Sequence, residues 1–389
     1  MNITSNQTSK SDRIKWLMPV SAALMFFIGF EVGALQFVLL GVTYEFALGG
    51  AAVGTLLATQ YFALMIGQPI FAVFADRIGK KPVILVSMSL FIAGCATIAG
   101  APIISVFVVG VFVAGMGYGV TEALICAVLV DVYPDKAERY TNLTQSLFSF
   151  GAVIGPLAAS GFSSFANARL IFLVAALGFV VLLPLFGAIP LQKACLPKDK
   201  PKLTLRGGPV IPFVALMLAI FIYGGVETSA AGFLNSLFSQ ALYTPEFGAF
   251  AISAFWLAMM VSRVLFGVVR LPAKWVVLGC MAAWAVIFVI LFASHSPALS
   301  LLFAALAGIA AGPVWAMLIS FGAKEFPAYS GTAVSLMAMS SGLGATLVPI
   351  IVGRAADSLS LHFAMLVISA AMLISVFAFV VYLKRKAAQ

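Results

Sequence analysis

"QKACLPKDKPKLTLRGGP", residues 192–209, is the longest polar run in a chain that is otherwise almost all oil. What flanks it decides the fold. The chain has 389 residues, 63% hydrophobic and 9% charged, with a mean hydropathy of +1.13. A soluble globular chain carries about 25% charged residues. The solvent for most of this chain is therefore lipid. Apolar stretches of roughly 20 residues recur on both sides of the run, each long enough to cross about 30 Å of hydrocarbon. Only helices suit such stretches, because a backbone in lipid must satisfy its own hydrogen bonds.

Breaks at proline, glycine and charge place twelve spans near 17–40, 49–75, 81–101, 103–132, 140–165, 168–191, 209–238, 246–270, 274–294, 297–322, 329–355 and 359–384. The expected fold is an all-α membrane protein of twelve transmembrane helices in two pseudo-symmetric six-helix bundles. Residues 1–191 form the first bundle, 192–208 a cytoplasmic linker and 209–389 the second bundle. No room is left for a sizeable soluble domain.

The net charge is +9, from 22 Lys and Arg against 13 Asp and Glu. Its placement says more than its sum. This topology leaves only Arg169 and Arg354 of the basic residues on the outer side. That bias puts both termini in the cytoplasm, in a plasma or bacterial inner membrane. No basic stripe is interleaved with aromatics, so nucleic acid is not an expected partner. Membrane lipid is. Cys95, Cys126, Cys195 and Cys280 lack zinc-type spacing and read as free thiols. The first span is too long for a cleavable signal and has no small-x-small site after it.

The two halves read as repeats. At an offset of 196, "IGFEVGALQF" (28–37) lies over "GGVETSAAGF" (224–233), matching Gly29 to Gly225 and Glu31 to Glu227. At 193, "AGMGYG" (114–119) lies over "AGIAAG" (307–312). Duplicated six-helix halves related by an axis along the membrane normal form the major facilitator architecture.

The loop after the second span, "FAVFADRIGKKPVIL" (71–85), resembles the major facilitator signature G-x-x-x-D-R-x-G-R-K. Asp76, Arg77, Gly79, Lys80 and Lys81 stand in register, with Ala72 in place of the leading glycine. The second half keeps a remnant, "RVLFGVVRLPAKW" (263–275). Below superfamily level, "AGMGYGVTEALICA" (114–127), "NLTQSLFSFGAVIG" (142–155) and "YGGVETSAAGFL" (223–234) look like the fucose–galactose–glucose:proton symporter family. Glu122 matches that family's fourth-helix glutamate, and Glu31 stands about where it carries a first-helix acid. The family's Thr-Ala-Ala-Asn-Pro after the glutamate is absent; Ala123-Leu-Ile-Cys-Ala replaces it. "GAVIGP" (151–156) resembles part of the fifth-helix antiporter motif but ends in Ala159-Ser160. The resemblance implies that Asp76 pairs across the bundles as a cytoplasmic gate. Lys80 and Lys81 are expected to set topology and meet anionic lipid.

Glu31, Glu122 and Glu227 carry the chemistry. A carboxylate at bilayer depth costs about 2.5 kcal/mol or more and is driven toward its neutral form. Such a residue faces a cavity or partner, or it carries protons. No Lys or Arg sits mid-span in the first half, and the nearest cation in either half is Arg263. The three acids are therefore expected to lack permanent counter-ions. Glu122 is the expected proton carrier, and Glu31 contacts substrate or shares the titration. A structural hydrogen bond between helices is the alternative for each.

Sugar rings offer C–H faces to aromatics and hydroxyls to amides and carboxylates. Tyr223, Trp256 and Trp315 are candidates for the first contact. Gln36, Gln60, Asn142, Gln145 and Asn235, with Glu31 and Glu227, are candidates for the second. Interfacial aromatics and interhelical amides are the competing explanation. Arg354 and Asp357, in "GRAAD", read as a pair at the outer end of the eleventh span.

There is no phosphate-binding G-x-x-x-x-G-K-[ST], no H-E-x-x-H and no G-x-S-x-G. An enzyme is not expected, nor a cofactor or a metal. The expected function is proton-coupled symport of a small polar solute, a monosaccharide by preference, in a monomer working by alternating access. A proton-driven exporter of drugs or metabolites and a non-transporting sensor on the same scaffold are the alternatives.

Overall fold

Lipid leaves a backbone no partner but itself, and every regular element among the described residues is helical. The computed structural model describes residues 14–49, 51–133, 137–163, 167–191, 210–242, 245–268, 271–325 and 330–387. The linker expected at 192–208, with Cys195, lies outside them.

The first half runs α1 (Leu17–Glu45), α2 (Ala51–Ile78), α3 (Lys80–Ala99), α4 (Ile104–Val132), α5 (Ala137–Ser163), a 3-10 turn (Ala168–Ile171) and α6 (Phe172–Ala188). The second runs α7 (Val210–Ser236) with a π-helical end (Leu237–Leu242), α8 (Pro245–Val268) and α9 (Ala273–Ala293). The element α10 follows in two pieces (Pro297–Ala311 and Val314–Glu325), then α11 (Ser330–Ser358) and α12 (Leu361–Ala387). Among the described residues eleven spans are long and apolar enough to cross a membrane. The remaining helix, α2, has 28 residues and carries Pro69 inside it. The fold is the expected twelve-helix one. Helix α1 runs to Glu45, past the expected end at 40.

The chain divides into two compact units, Met1–Val38 with Ala63–Lys198 and Leu39–Phe62 with Asp199–Gln389. In the first, α1 and α5 meet backbone to backbone. A Cβ on Gly29 would collide with the Phe148 carbonyl, and one on Gly151 with the Phe26 carbonyl. In the second, α7 and α11 meet the same way: Gly225 lies against Gly344, and Gly344 against the Phe221 carbonyl. Gly29 and Gly225 are the pair aligned at offset 196, and Gly151 and Gly344 stand 193 apart. The duplication is thus visible as one repeated packing contact. Lipid offers no hydrophobic drive between helices, so close backbone approach and interhelical hydrogen bonds take over.

Serines supply many of those bonds. In the first unit Ser87 on α3 and Thr121 on α4 share a hydrogen bond of 2.8 Å. In the second, Ser375 on α12 donates to the Ala219 carbonyl of α7 at 2.7 Å. Ser369 donates to Ala285 of α9 at 2.7 Å, and Ser340 on α11 to Met217 of α7 at 2.8 Å. Apolar residues such as Leu177, Val181 and Phe377 point outward, as a lipid-facing surface requires.

The break in α10 has a chemical cause. Pro313 has no N–H, so the Ile309 carbonyl four residues back loses its helical donor. Ser262 on α8 supplies one, its Oγ 2.5 Å from that oxygen. The Ala311 carbonyl, beside the break, accepts from the Tyr223 hydroxyl at 2.7 Å. Two side chains from α7 and α8 are thereby fastened to one point on α10.

Candidate functional site

The polar residues at membrane depth fall into two groups, one in each unit. In the first, Glu31 on α1 is fully buried and Glu122 on α4 is half-buried. Glu31 lies 14 residues from Leu17, and Glu122 lies 10 from Val132. At 1.5 Å per residue these are about 21 Å and 15 Å along the helices. Gln145 on α5 donates its amide to Glu122 Oε1 at 3.0 Å, a bond between two residues singled out from sequence. Gln36, on α1, is buried.

In the second unit, Glu227 on α7 has Arg263 of α8 at 3.9 Å. This corrects the expectation that all three acids lack a counter-ion. Arg263 sits near the end of its own span, and depth counted along one helix placed it too far away. The anchor of Ser262 on Ile309 and the long arginine side chain bring it back to Glu227. Tyr223, one turn before Glu227, is buried with its ring 5.9 Å from that of Trp284. Its ring face is part of the core. Trp256 is also buried, edge-on to Phe255. Trp315 is different: its indole is 39% exposed, and its Nε1 donates to Ser341 Oγ at 3.2 Å. Gly224, next to Tyr223, packs on that same serine. Asn235 is buried and accepts from Ser239 at 3.1 Å. Gln60 is buried on α2. Sequence reading missed Ser262 and Ser341, whose contacts span many residues of chain and leave no local pattern.

The signature loop is built differently from its reading. Gly79, with φ of 98°, makes the left-handed turn from α2 into α3, which favours glycine. Lys80 is held inside the first unit by Asp131 and by the Ala127 carbonyl of α4. Lys81 donates to the Ile189 carbonyl after α6 at 2.7 Å. Both ammonium groups therefore brace helix ends. Arg77 is exposed, while the side chains of Asp76 and Asn142 lie outside the described residues.

At the α1–α2 turn, Asp357 Oδ2 accepts the Ala51 N–H at 2.8 Å, capping α2. Among the described residues this cap replaces the expected pair with Arg354. A cavity of about 120 Å³ lies beside it, lined by Thr43, Tyr44, Phe233, Ser236, Gln240 and Asp357. Cys95, Cys126 and Cys280 are free thiols, as expected.

A family model described as the Major Facilitator Superfamily matches residues 21–242 and again 216–389. The chain belongs to that superfamily. Among curated relatives, MFS transporter L2 of Phoma sp. is 33% identical over 129 residues, 32% of this chain and 22% of that protein. A D-xylose transporter of Levilactobacillus brevis is 24% identical over 138 residues, 35% of this chain and 30% of the other. The class E tetracycline resistance protein of Escherichia coli is 28% identical over 174 residues, 43% of this chain and 42% of the other. The chain thus matches between about a fifth and two fifths of the length of these relatives. Among solved structures, a point mutant of the nucleoside transporter NupG superposes with TM-score 0.76 at 14% identity, covering 95% of this chain and 99% of that one. A point mutant of the E. coli fucose:proton symporter FucP superposes with TM-score 0.64 at 15% identity, covering 95% and 98%. These likenesses carry the fold.

Proposed function

We propose that the chain is a proton-coupled symporter of a small polar solute, of the monosaccharide class, working by alternating access and not an enzyme. It sits in a plasma or bacterial inner membrane with both termini in the cytoplasm. The observation that carries the reading is the Glu122–Gln145 bond at membrane depth. A neutral amide orients the carboxyl without fixing its charge, and partial exposure gives a proton a path to it. Glu122 takes the proton; Glu31, a few ångströms deeper by helix count, contacts solute or shares the titration. The exposed indole of Trp315 offers a face for the apolar side of a sugar ring. The xylose transporter among the relatives supports this solute class.

Glu122→Gln in proteoliposomes should lose uphill accumulation under an inward proton gradient and keep counterflow. Undiminished accumulation in that variant overturns the assignment. The tetracycline resistance relative favours a second reading, proton-driven export. The two differ in sign: adding solute to de-energised cells makes the medium more alkaline for a symporter and more acidic for an exchanger.

A further inference from the structure

We propose that His295 and His362 form a binding site for a transition-metal dication of the Zn²⁺, Cu²⁺ or Ni²⁺ kind, which clamps the α9–α10 turn to the start of α12. Both residues belong to the second unit. The site stands apart from the polar groups at membrane depth and needs neither of them. It opens on the outer side, a placement that rests on the topology proposed above.

The chain has two histidines, and folding sets them side by side. His295 lies in the turn between α9 and α10, and His362 is the second residue of α12. Their ring centroids are 4.9 Å apart, with the planes inclined at 46°. A zinc–imidazole bond measures about 2.0–2.1 Å and the ring centre lies about 1.1 Å further back, so each centroid stands about 3.2 Å from the ion. Two such rings are about 4.5 Å apart at a right angle about the metal and about 5.2 Å apart at the tetrahedral angle. The observed separation falls between these limits.

Ring packing alone would allow the same distance, so the nitrogens decide. His362 Nε2 is buried and has no hydrogen-bond partner. The bond that its ring gives to the Ser294 backbone carbonyl therefore comes from Nδ1. Donation from Nδ1 fixes the neutral tautomer whose Nε2 carries a lone pair. That is the form in which imidazole binds metal, and a metal-bound histidine almost always gives its other N–H to a carbonyl or carboxylate. A buried acceptor without a donor costs free energy. A cation on Nε2 removes that cost, and His295, whose ring is the neighbour, supplies the second ligand. His295 is exposed, so the ion enters from the aqueous side.

Among the described residues no three of His, Cys, Asp and Glu gather into a metal-holding group, so water completes the coordination. Two imidazoles favour Zn²⁺, Cu²⁺ and Ni²⁺ over Mg²⁺ and Ca²⁺, which take oxygen ligands. Each turn that the ion joins is already knitted by a serine. Ser294 Oγ accepts from Ser300 Oγ at 2.9 Å, and Ser360 Oγ accepts the Phe363 N–H at 3.0 Å. The two turns share the His362–Ser294 bond and the contact of the Phe292 and Phe363 rings. The ion adds a clamp between them.

The test uses the purified full chain without a polyhistidine tag. In scanning fluorimetry, zinc about a hundredfold above its Kd should raise Tm by about 3 °C for a chain of 389 residues. Magnesium at the same concentration should leave Tm unchanged. His295→Ala, in an exposed turn, and His362→Gln should each abolish the zinc shift. Electron spin echo spectra with one equivalent of Cu²⁺ should show two coupled imidazoles in wild type and at most one in His295→Ala. With two histidines in the chain, a two-imidazole signal identifies this pair. An unchanged Tm with zinc, the wild-type shift in either variant, or a wild-type copper spectrum with fewer than two imidazoles each overturns the proposal.

Discussion

Ser262→Ala tests the account of the α10 break. Ser262 is 1% exposed, and its hydroxyl is the donor to the Ile309 carbonyl that Pro313 orphans. Alanine leaves that oxygen without a donor inside a membrane span, at a cost of about 1–3 kcal/mol. At about 2.1 cal/mol/K per residue, a chain of 389 residues has an unfolding entropy near 0.8 kcal/mol/K, so Tm should fall by roughly 1–4 °C. The decisive comparison is Pro313→Ala, which returns a backbone N–H four residues after Ile309. In that background the serine has no orphan to serve, and Ser262→Ala should cost less than about 0.5 kcal/mol. A double-mutant cycle by scanning fluorimetry in detergent should give a coupling of about 1–2 kcal/mol, above the scatter of independent sites. Additivity within about 0.5 kcal/mol would refute the reasoning, because it would mean the serine is not there for the proline's missing donor.

Three more outcomes follow from the packing. Gly344→Ala sets a methyl against the Phe221 carbonyl and should cost about 1–3 kcal/mol; Gly279→Ala, in open space, should stabilise by up to about 1 kcal/mol, both read as Tm. Asp357→Asn weakens the charged cap on α2 by about 1 kcal/mol. If that cap holds the α1–α2 turn shut, a cysteine at Ser236 should react roughly fivefold more with a membrane-impermeant maleimide; unchanged labelling denies the cap that role. Glu325 is 1% exposed and bonds both Tyr382, at 2.8 Å, and Lys386, at 2.9 Å. Lys386→Met should therefore lower Tm, and adding Glu325→Gln should restore much of the loss, because the buried charge is gone.

The spans were legible because lipid imposes one rule on every residue, and a local average of hydropathy reads it. The duplication was legible where packing demands glycine: the Gly29–Gly225 match marks contacts that a side chain would abolish. Glu122 was legible because its cost at depth singles it out, and its partner Gln145 because few amides lie within the spans. What could not be read is whatever depends on distance in space. Asp357 meets Ala51 across 306 positions, while Arg354, its expected partner three residues away, does not pair with it. Arg263 was placed by counting along one helix, which ignores how α8 is anchored and how far an arginine reaches. Lys80 and Lys81 look from sequence like free charges meeting lipid, yet each has an acceptor on a neighbouring segment.

The repeat also explains why one half cannot stand for the other in function. Packing was copied, since α1 meets α5 as α7 meets α11 through paired glycines. Chemistry was not. The first half sets a carboxyl against an amide; the second sets one against a guanidinium and a phenol whose proton is already spoken for. At the position aligned with Glu122 the second half carries Trp315. A backbone contact tolerates only small residues in either copy, so both copies stay alike. A polar site must match a solute that is itself asymmetric, and two identical sites would present the same groups twice. Trp315 in place of an acid, and Arg263 at 3.9 Å from Glu227, show the outcome: one scaffold duplicated, with its packing kept and its polar residues changed.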